Sequence, residues 1–562
     1  MRINMTNRIN FLRRPRIKGV LFICLLLITL LAVWGTTGGW GRRASGIGES
    51  SNRGVSNATA HRVDAQEDPI CRLPAAPASF DASSTGRTIS VNGGPDAASK
   101  LQIALNSAAP GDVIELKAGA IFVGNFTLPE KHGEAWVTIR PSSEVVLPPQ
   151  DMRITPAVSS SLPKIITPNA DAAVKTAPRA HHYRLVGIEI SVGANVRQNH
   201  GLVLFGDGSG AQRSLDVVPH DLILDRCYLH GNGTGELRRG VALNSARSAV
   251  VDSYIIGCQG IGYDTQAIAG WNGPGPFKIV NNYLEGAGEN VMFGGADPSI
   301  PNLVPSDIEF RDNYCAKPLA WKAGEQMTGA AARTRPPSVK NLFELKNARR
   351  VLVEGNVFER NWADAQNGFA ILLTVRNQDG TAPWSVVEDI TFRRNVVRSV
   401  GAGINLLGRD YNQSSQQLRR VRIEQNLFED VGGAQWGGNG SFLQVTESSC
   451  VVVDHNTVFH TGNLVTGYGQ SNTDFAFTNN VARHNEYGVF GDGVGSGKAA
   501  LDKYFPASQF TGNVLMGGRR ELYPAGNFFP SALDGSGVQS IGADVVALRN
   551  RAAKVRTGDM RP

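Results

Sequence analysis

One short motif recurs along the second half of the chain and restricts the folds open to it. Each copy is an apolar strand, a polar residue, an asparagine and then usually Tyr, Val or Leu, as in IVNNYL, LVEGNVF and RIEQNLF. The recurring asparagines are Asn282, Asn313, Asn356, Asn395, Asn426, Asn456, Asn480 and Asn513, and the same slot upstream holds Cys227 and Ser253. Successive copies lie 24 to 43 residues apart. Such a period is typical of a solenoid or a propeller.

The variable spacing of a constant motif predicts a coil whose loops differ in length while its strands stay in register. We therefore predict an all-β, single-stranded parallel β-helix of about ten or more turns, with strands stacked at the ~4.8 Å spacing of a sheet. The recurring asparagines are interpreted as a structural ladder. Each side-chain amide would satisfy main-chain groups at a tight turn and bond to its counterpart on the next turn.

The start of the coil is marked by a helix pattern. Asp96 followed by AASKLQIALNSA predicts an amphipathic helix capped by Asp96, and the strands VIEL, NFTL and WVTIR follow it. A helix over the first open turn would protect that end of the coil from edge pairing. We assign residues 86–530 to the β-helix, residues 35–85 to a flexible linker rich in Gly, Ser, Asn, Ala and Pro, and residues 531–562 to a C-terminal tail.

The N-terminal segment, residues 1–34, predicts export. Four basic residues between positions 13 and 18 precede the uncharged run GVLFICLLLITLLAVW, which fits either a signal peptide or a short membrane anchor. We expect the rest of the chain to be periplasmic, cell-surface or secreted, and to touch a membrane only through this segment. Residues 1–75 hold eleven Lys or Arg and four Asp or Glu, which accounts for the whole formal charge of +7. The basic balance therefore does not indicate a nucleic acid partner.

The cysteines show no metal-binding or redox spacing. Cys24 lies in the apolar N-terminal run, which leaves Cys71, Cys227, Cys258, Cys315 and Cys450. We interpret them as small buried side chains, and a Cys227–Cys258 bridge between adjacent turns is the alternative.

The segments PGDVIEL and FVGNFTLP and the repeated asparagine motif resemble the right-handed parallel β-helix superfamily, which includes pectate lyases, polygalacturonases, and alginate or chondroitin lyases. The resemblance covers about residues 86–530 and implies a right-handed coil. Polygalacturonase-like enzymes carry Asn-Thr-Asp, Asp-Asp and Gly-His-Gly. This chain has only the first, at residues 472–474, so it lacks the paired carboxyl groups of that hydrolase chemistry. The Trp-Ile-Asp-His signature of pectate lyases is absent as well.

A charged cluster is predicted on the outer face of the strand that precedes the ladder strand. Alignment of VALNSAR with FELKNAR places Phe343 and Leu345 inward and Glu344 and Lys346 outward, and the next turn adds Arg376. Alginate and chondroitin lyases of this fold use a Lys and an Arg on neighbouring turns, with acidic residues holding Ca²⁺. The resemblance thus implies Lys346 as a base with a perturbed pKa, Arg376 as the group that stabilises negative charge, and Glu344 as a metal ligand. The alternative is a solvated surface network of ion pairs.

Two long insertions flank this cluster, from about 316 to 340 and from about 361 to 389. They carry Trp321, Trp362 and Trp384, whose faces could stack on sugar rings or pack locally against the coil. Asp379 and Asp410 are further candidates for binding sugar hydroxyls or Ca²⁺.

Together these features predict an exported β-helix protein, expected to be a monomer, that recognises a polysaccharide. Cleavage of an acidic, uronate-containing glycan by β-elimination is the leading enzyme hypothesis. A non-catalytic carbohydrate-binding protein, adhesin or scaffold is the alternative. No cofactor follows from the residues alone, and the resemblance implies Ca²⁺.

Overall fold

The computed structural model describes residues 71–75, 84–322, 335–532 and 542–561. The chain is divided into two units, Met1–Gln66 and Glu67–Pro562. The first unit, with the predicted signal peptide or anchor and most of the predicted linker, lies outside the described residues. Within the described ranges, no helix combines the length and apolar character needed to cross a membrane.

The second unit is a right-handed parallel β-helix, as the motif and the resemblance predict. Each turn of the coil, here called a rung, contributes one strand to each of three long sheets. Neighbouring strands in these sheets pair in parallel, except for an antiparallel pair that ends the third sheet. Stacked rungs therefore leave each sheet with edges only at the two ends of the coil.

Sheet 1 contains fourteen strands. In stacking order they are Thr88–Val91, Val113–Leu116, Val137–Pro141, His181–Val186, His220–Asp225, Ala246–Val251, Phe277–Val280, Ser306–Arg311, Ala348–Glu354, Val387–Arg393, Arg419–Glu424, Ser449–Asp454, Thr473–Thr478 and Gln509–Thr511.

Sheet 2 contains thirteen strands and follows sheet 1 in each rung. They are Ile121–Val123, Lys164–Thr167, Glu189–Val192, Tyr228–His230, Tyr254–Cys258, Tyr283–Gly286, Tyr314–Ala316, Val357–Asn361, Val396–Val400, Leu427–Val431, Thr457–His460, Val481–Arg483 and Val514–Met516.

Sheet 3 also contains thirteen strands and completes the rung. They are Phe126–Leu128, Val174–Thr176, Val203–Phe205, Arg239–Leu243, Gln266–Gly270, Glu289–Phe293, Asn341–Leu345, Phe369–Thr374, Ala402–Leu407, Leu443–Thr446, Val465–Gly467, Val489–Gly491 and Gly495–Ser496. A separate two-stranded pair joins Gln198–Asn199 to Glu236–Leu237.

Helices are few and lie at the ends or on the outside of the coil. The α-helices are Ala97–Ser107, Lys498–Tyr504 and Val545–Thr557, and the 3₁₀ turns are Pro156–Val158, Leu215–Val217, Leu319–Trp321 and Arg520–Leu522. Helix Ala97–Ser107 buries Leu101, Ala104 and Leu105 against the first rung, which confirms the predicted capping helix. The expected cap is wrong in detail, because the Asp96 side chain makes no capping hydrogen bond.

The core of the coil consists of stacked inward-facing side chains. In sheet 1 one such column runs from Leu224 to Phe510, and its members are at most 3% exposed: Leu224, Val250, Ile279, Phe310, Val353, Phe392, Ile423, Val453, Phe477 and Phe510. Alternate residues of each strand point outward, so one face of every strand forms the core and the other remains available for a site.

The asparagines of the motif form a continuous ladder at the turn from sheet 1 to sheet 2. Asn395 is typical: its main-chain N–H and its Nδ2 both donate to Oδ1 of Asn426, at 2.9 and 3.1 Å. Its Nδ2 also donates to the carbonyl of Val353 on the preceding rung, at 2.9 Å. Ser253 occupies the same slot before the run of asparagines, and Asn527 continues the pattern beyond Asn513.

The residue before each ladder position explains why the motif is polar there. That residue has a left-handed backbone conformation on successive rungs, as in Asn281, Asp312 and Gln425 (φ 56°, 56° and 55°). On one rung Gly355 takes the position with φ 69°. Asn, Asp and Gly tolerate this conformation best, so the tight turn selects the residues that make the motif visible in the sequence.

Two segments outside the coil proper pack against it. Helix Val545–Thr557, within the predicted tail, buries Leu548, Ala552 and Val555 against outward residues of sheet 2. Before the coil in sequence, Arg72 of the predicted linker pairs with the buried carboxylate of Asp389 in strand Val387–Arg393.

The described cysteines are free thiols. Cys227, Cys258 and Cys315 are buried in the core, and burial raises the pKa of the Cys227 thiol to about 12. The structure thus shows small buried side chains at these positions and no Cys227–Cys258 bridge.

Candidate functional site

A groove of about 470 Å³ lies on the outer face of sheet 3, over the rungs that carry the predicted charged cluster. It is lined by Glu344, Lys346, Ala365, Gln366, Asn367, Phe369, Leu372, Thr374, Arg376, Asn405, Leu407, Tyr411 and Tyr468. The register of sheet 3 explains part of this lining. Glu344, Leu372 and Asn405 are direct neighbours in one outward-facing column.

Lys346 and Arg376 lie on adjacent rungs. The main-chain N–H of Arg376 donates to the carbonyl of Lys346 at 2.9 Å, just beyond the ends of the paired strands Asn341–Leu345 and Phe369–Thr374. Both side chains line the groove. The structure therefore brings the predicted Lys and Arg together in one groove.

Glu344 lies at the floor of the groove and is almost fully buried. Its Oε1 is 3.6 Å from Nζ of Lys346, and its Oε2 accepts from Nδ2 of Asn341 at 3.0 Å. One rung before Asn341, the buried Glu289 accepts from Nε2 of Gln266 at 2.7 Å. These four side chains form a buried acidic layer beneath the groove.

Three oxygens of the acidic layer have no hydrogen-bond partner among the described residues. They are Oε1 of Gln266, Oε1 of Glu289 and Oδ1 of Asn341. Lys340 lies 3.9 Å from Oε1 of Glu289 and pairs with Asp264 at the edge of the layer. Buried acceptors without a donor are costly, so this layer can accept a further cation or hydrogen-bond donor.

Burial also perturbs the charges of this layer. It raises the pKa of Glu289, and the nearby negative charges of Glu344 and Asp264 raise it further, to about 7. For Lys346, burial alone would lower the pKa, but the charge of Glu344 and two further carboxylates outweighs it, so the pKa lies above its ordinary value. The pKa of Lys346 is thus raised and not lowered, so these contacts favour the protonated side chain over the neutral form that a base requires.

Asp410 positions Arg376 and does not face the groove. Its carboxylate is 3% exposed and accepts from Nη1 of Arg376 at 3.3 Å. It also accepts from the main-chain N–H groups of Asn377 and Asn412, both at 3.0 Å. Its oxygens are thus used within the protein, so the predicted role in sugar binding does not fit. Asp379 is exposed, outside the groove lining, and accepts from the main-chain N–H of Asp297.

The predicted stacking tryptophans do not line the groove. Trp321 and Trp362 are 5% and 4% exposed and pack with Trp436, Ala287 and Val339 in a cluster beside the coil. Trp384 is half-buried, and its Nε1 donates to the carbonyl of Leu303. For Trp321 and Trp362 the structure favours the packing interpretation, because a buried indole cannot offer its face to a sugar ring.

The aromatic side chains that do line the groove are Phe369, Tyr411 and Tyr468. Tyr411 is 56% exposed, and its hydroxyl lies 3.1 Å from Oγ1 of Thr446. Tyr468 is half-buried, and burial raises the pKa of its hydroxyl. Sequence reasoning missed both tyrosines. The sequence did hold one signal for them. Tyr411 follows strand Ala402–Leu407 and Tyr468 follows strand Val465–Gly467, both in rungs after the one that carries Lys346.

Comparisons with known proteins leave the activity open. No family model matches the chain, and no curated protein matches it. Solved structures do resemble it. An alginate lyase from Paenibacillus sp. str. FPU-7 has 15% identity and a TM-score of 0.31 over 73% of this chain and 97% of its own.

Two further structures resemble the chain at a similar level. A mannuronic acid specific polysaccharide family 6 lyase from human gut microbiota has 13% identity and a TM-score of 0.43, over 84% of this chain and 100% of its own. A mutant tailspike protein of E. coli bacteriophage HK620, in complex with a pentasaccharide, has 14% identity and a TM-score of 0.42, over 78% and 64%. The chain is a right-handed parallel β-helix protein. Similarities this low do not assign it a substrate.

Proposed function

We propose that the chain binds an acidic, uronate-containing polysaccharide in the groove on sheet 3 and cleaves it by β-elimination. The observation that carries the proposal is the pair Lys346 and Arg376, two cations on adjacent rungs that line one groove with Tyr411 and Tyr468.

The two cations match what β-elimination requires. The reaction breaks the C–H bond α to the uronate carboxylate and the C–O bond to the departing sugar, and forms a C=C bond between the two carbons. Negative charge grows on the carboxylate as the proton leaves, and Lys346 and Arg376 stabilise it. Asp410 holds Arg376 in place through the 3.3 Å contact.

Proton transfer is assigned to the groove side chains that can donate or accept. The carboxylates around Lys346 favour its protonated form, so it acts as a cation and not as the base. The hydroxyls of Tyr411 and Tyr468 line the same groove. In one concerted step the hydroxyl of either tyrosine gives its proton to the departing oxygen, which leaves with the electrons of the C–O bond, and takes the α-proton in its place, so the tyrosine ends uncharged.

Ca²⁺ is the proposed cofactor. Gln266, Glu289, Asn341 and Glu344 offer the hard oxygen ligands that Ca²⁺ takes, and three of their oxygens lack a hydrogen-bond partner in the part of the chain that the structure describes. When bound, Ca²⁺ would supply positive charge beneath the substrate carboxylate. Lys340 and Lys346 already lie against Glu289 and Glu344, so Ca²⁺ must compete with two ammonium groups.

A non-catalytic carbohydrate-binding role is the second candidate. The observation that favours it is the position of Lys346 beside the buried carboxylate of Glu344, which favours a charged ammonium group, because a protein that only binds uronates needs cations and no base. Both candidates place an acidic polysaccharide in the same groove. They differ in whether a product appears.

The two candidates are separated by assaying a panel of acidic and neutral polysaccharides, with and without Ca²⁺. Unsaturated products are followed by absorbance, and binding by retardation in polysaccharide-containing gels. We expect product from an acidic polysaccharide and a loss of at least about a hundredfold in rate for Lys346→Ala. Lys175→Ala is the matched control, because Lys175 lies exposed in the same outward column of sheet 3, several rungs upstream.

Two other outcomes are possible, and each contradicts a part of the proposal. Retention without unsaturated ends, weakened by Tyr411→Ala or Tyr468→Ala, would establish the binding role and overturn the lyase. Cleavage that persists in Lys346→Ala would contradict the assignment of the groove.

A further inference from the structure

We propose that His181, His182 and His220 form a binding site for a divalent transition metal ion such as Zn²⁺. The site lies where strands His181–Val186 and His220–Asp225 of sheet 1 begin, on different rungs and a different sheet from the groove. Its candidate nitrogens all lie within 4.8 Å of one another. Within the described part of the chain, it is the one group of three or more His, Cys, Asp or Glu that meets this spacing.

The β-helix brings the three rings together in two ways. His181 and His220 are direct partners in adjacent strands, and their rings stack in parallel with centroids 4.8 Å apart. His182 would normally point to the opposite face from His181. Its left-handed backbone (φ 56°) breaks that alternation, so its ring meets the ring of His181 at a centroid distance of 5.0 Å.

The closest approach is between two ring nitrogens. Nδ1 of His181 lies 2.8 Å from Nδ1 of His182. Two unprotonated nitrogens repel at this distance, so either a proton or a metal ion must lie between or beside them. A hydrogen bond at this place joins His181 to His182 and does not include His220, whose Nδ1 contacts Asp221 and Arg247. A shared metal ion accounts for the convergence of all three.

A carboxylate next to the site orients one of the rings. Oδ2 of Asp221 lies 2.6 Å from Nδ1 of His220, which leaves Nε2 of that ring free as a ligand. Arg247 in turn binds Asp221, at 2.6 Å from the same oxygen. Histidines that bind metals commonly have such a carboxylate on their second nitrogen, because it fixes the ring and raises its basicity.

The chemistry of the site selects the ion. Imidazole nitrogens suit Zn²⁺, Ni²⁺ and Cu²⁺, whereas Ca²⁺ and Mg²⁺ require oxygen ligands. The side chains of His182 and His220 are 15% and 31% exposed, so solvent can complete the coordination. The bound ion would join two rungs near the N-terminal end of the coil.

The test is metal binding by the full-length chain without an affinity tag. Zn²⁺ is titrated by calorimetry, and Co²⁺ is used as a spectroscopic probe of nitrogen coordination. We expect one ion per chain, loss of binding in His181→Ala and in His220→Ala, and about 10- to 100-fold weaker binding in Asp221→Asn. His455→Ala is the matched control, because His455 makes the same 2.6 Å contact with a carboxylate, that of Asp454, outside the cluster.

The milder Asp221→Asn variant keeps the test valid where a histidine substitution disturbs the fold. Circular dichroism of every variant checks that the coil is intact. Absence of Zn²⁺ binding by the unmodified chain would leave a hydrogen-bonded histidine pair and overturn the proposal. Binding that is unchanged by His220→Ala and Asp221→Asn, or that is lost in His455→Ala, would overturn it as well.

Discussion

Replacing Asn395 by leucine should strongly destabilise the coil. The side chain is fully buried and makes four hydrogen bonds in the ladder. Leucine has a similar size, so the change removes the bonds without opening a large cavity. It leaves the main-chain N–H of Asn356 without its acceptor and the carbonyl of Val353 without the amide donor. At about 1–3 kcal/mol for each buried group, the loss is about 2–6 kcal/mol.

The assay combines chemical denaturation with amide hydrogen exchange. Asn395→Leu should unfold at lower guanidinium concentration, and exchange of the Asn356 amide should accelerate by about thirtyfold or more, because each 1.4 kcal/mol is about a factor of ten. Asn106→Leu is the control, because Asn106 is exposed on helix Ala97–Ser107 and its side chain accepts a hydrogen bond from the half-buried Gln102 of the same helix. Equal stability of the two variants would refute the ladder as a buried hydrogen-bond network.

Three further predictions concern packing, pH and export. Trp362→Ala should cost about 3–5 kcal/mol of stability by calorimetry and leave polysaccharide retention per folded molecule unchanged, because the ring is 4% exposed and away from the groove. Burial acts to raise the pKa of Asp389, but hydrogen bonds from Arg420 and Arg72 outweigh it and hold that pKa at about 2. The ionised carboxylate of Asp389 therefore stabilises the fold above about pH 4, and this stabilisation is lost as the pH falls towards 2. Acid unfolding should show a weaker pH dependence in Asp389→Asn, and an unchanged profile would contradict this. A reporter fused after Gly48 should be active outside the cytoplasm, and activity confined to the cytoplasm would disprove export.

The fold could be predicted because each rung carries the same short residue pattern at the ladder turn. A tight turn with a left-handed residue before a buried asparagine requires polar residues or glycine at one position and Asn at the next, whatever the loop lengths between rungs. The outward register of Glu344 and Lys346 followed from the same strand alternation. These features depend on neighbours in sequence or on the repeat itself.

The remaining features depend on contacts between distant segments. Trp362 is buried by Ala287 and Val339, which the sequence separates from it by other rungs and loops, and an exposed indole has the same local pattern. The pKa of Lys346 depends on Glu289 in the preceding rung. The helix within the predicted C-terminal tail did leave a signal in the sequence, since Leu548, Ala552 and Val555 recur at helical spacing.

Elimination in the groove that Lys346 and Arg376 line is tested most directly by the origin of the oxygen atoms in the product. The polysaccharide bound best in the panel is digested in isotopically labelled water, and the oligosaccharides are analysed by mass spectrometry. Elimination breaks the C–O bond without adding water, so we predict unsaturated uronate ends with no label fixed at the cleaved bond. Saturated ends that carry the label would show hydrolysis and contradict the account.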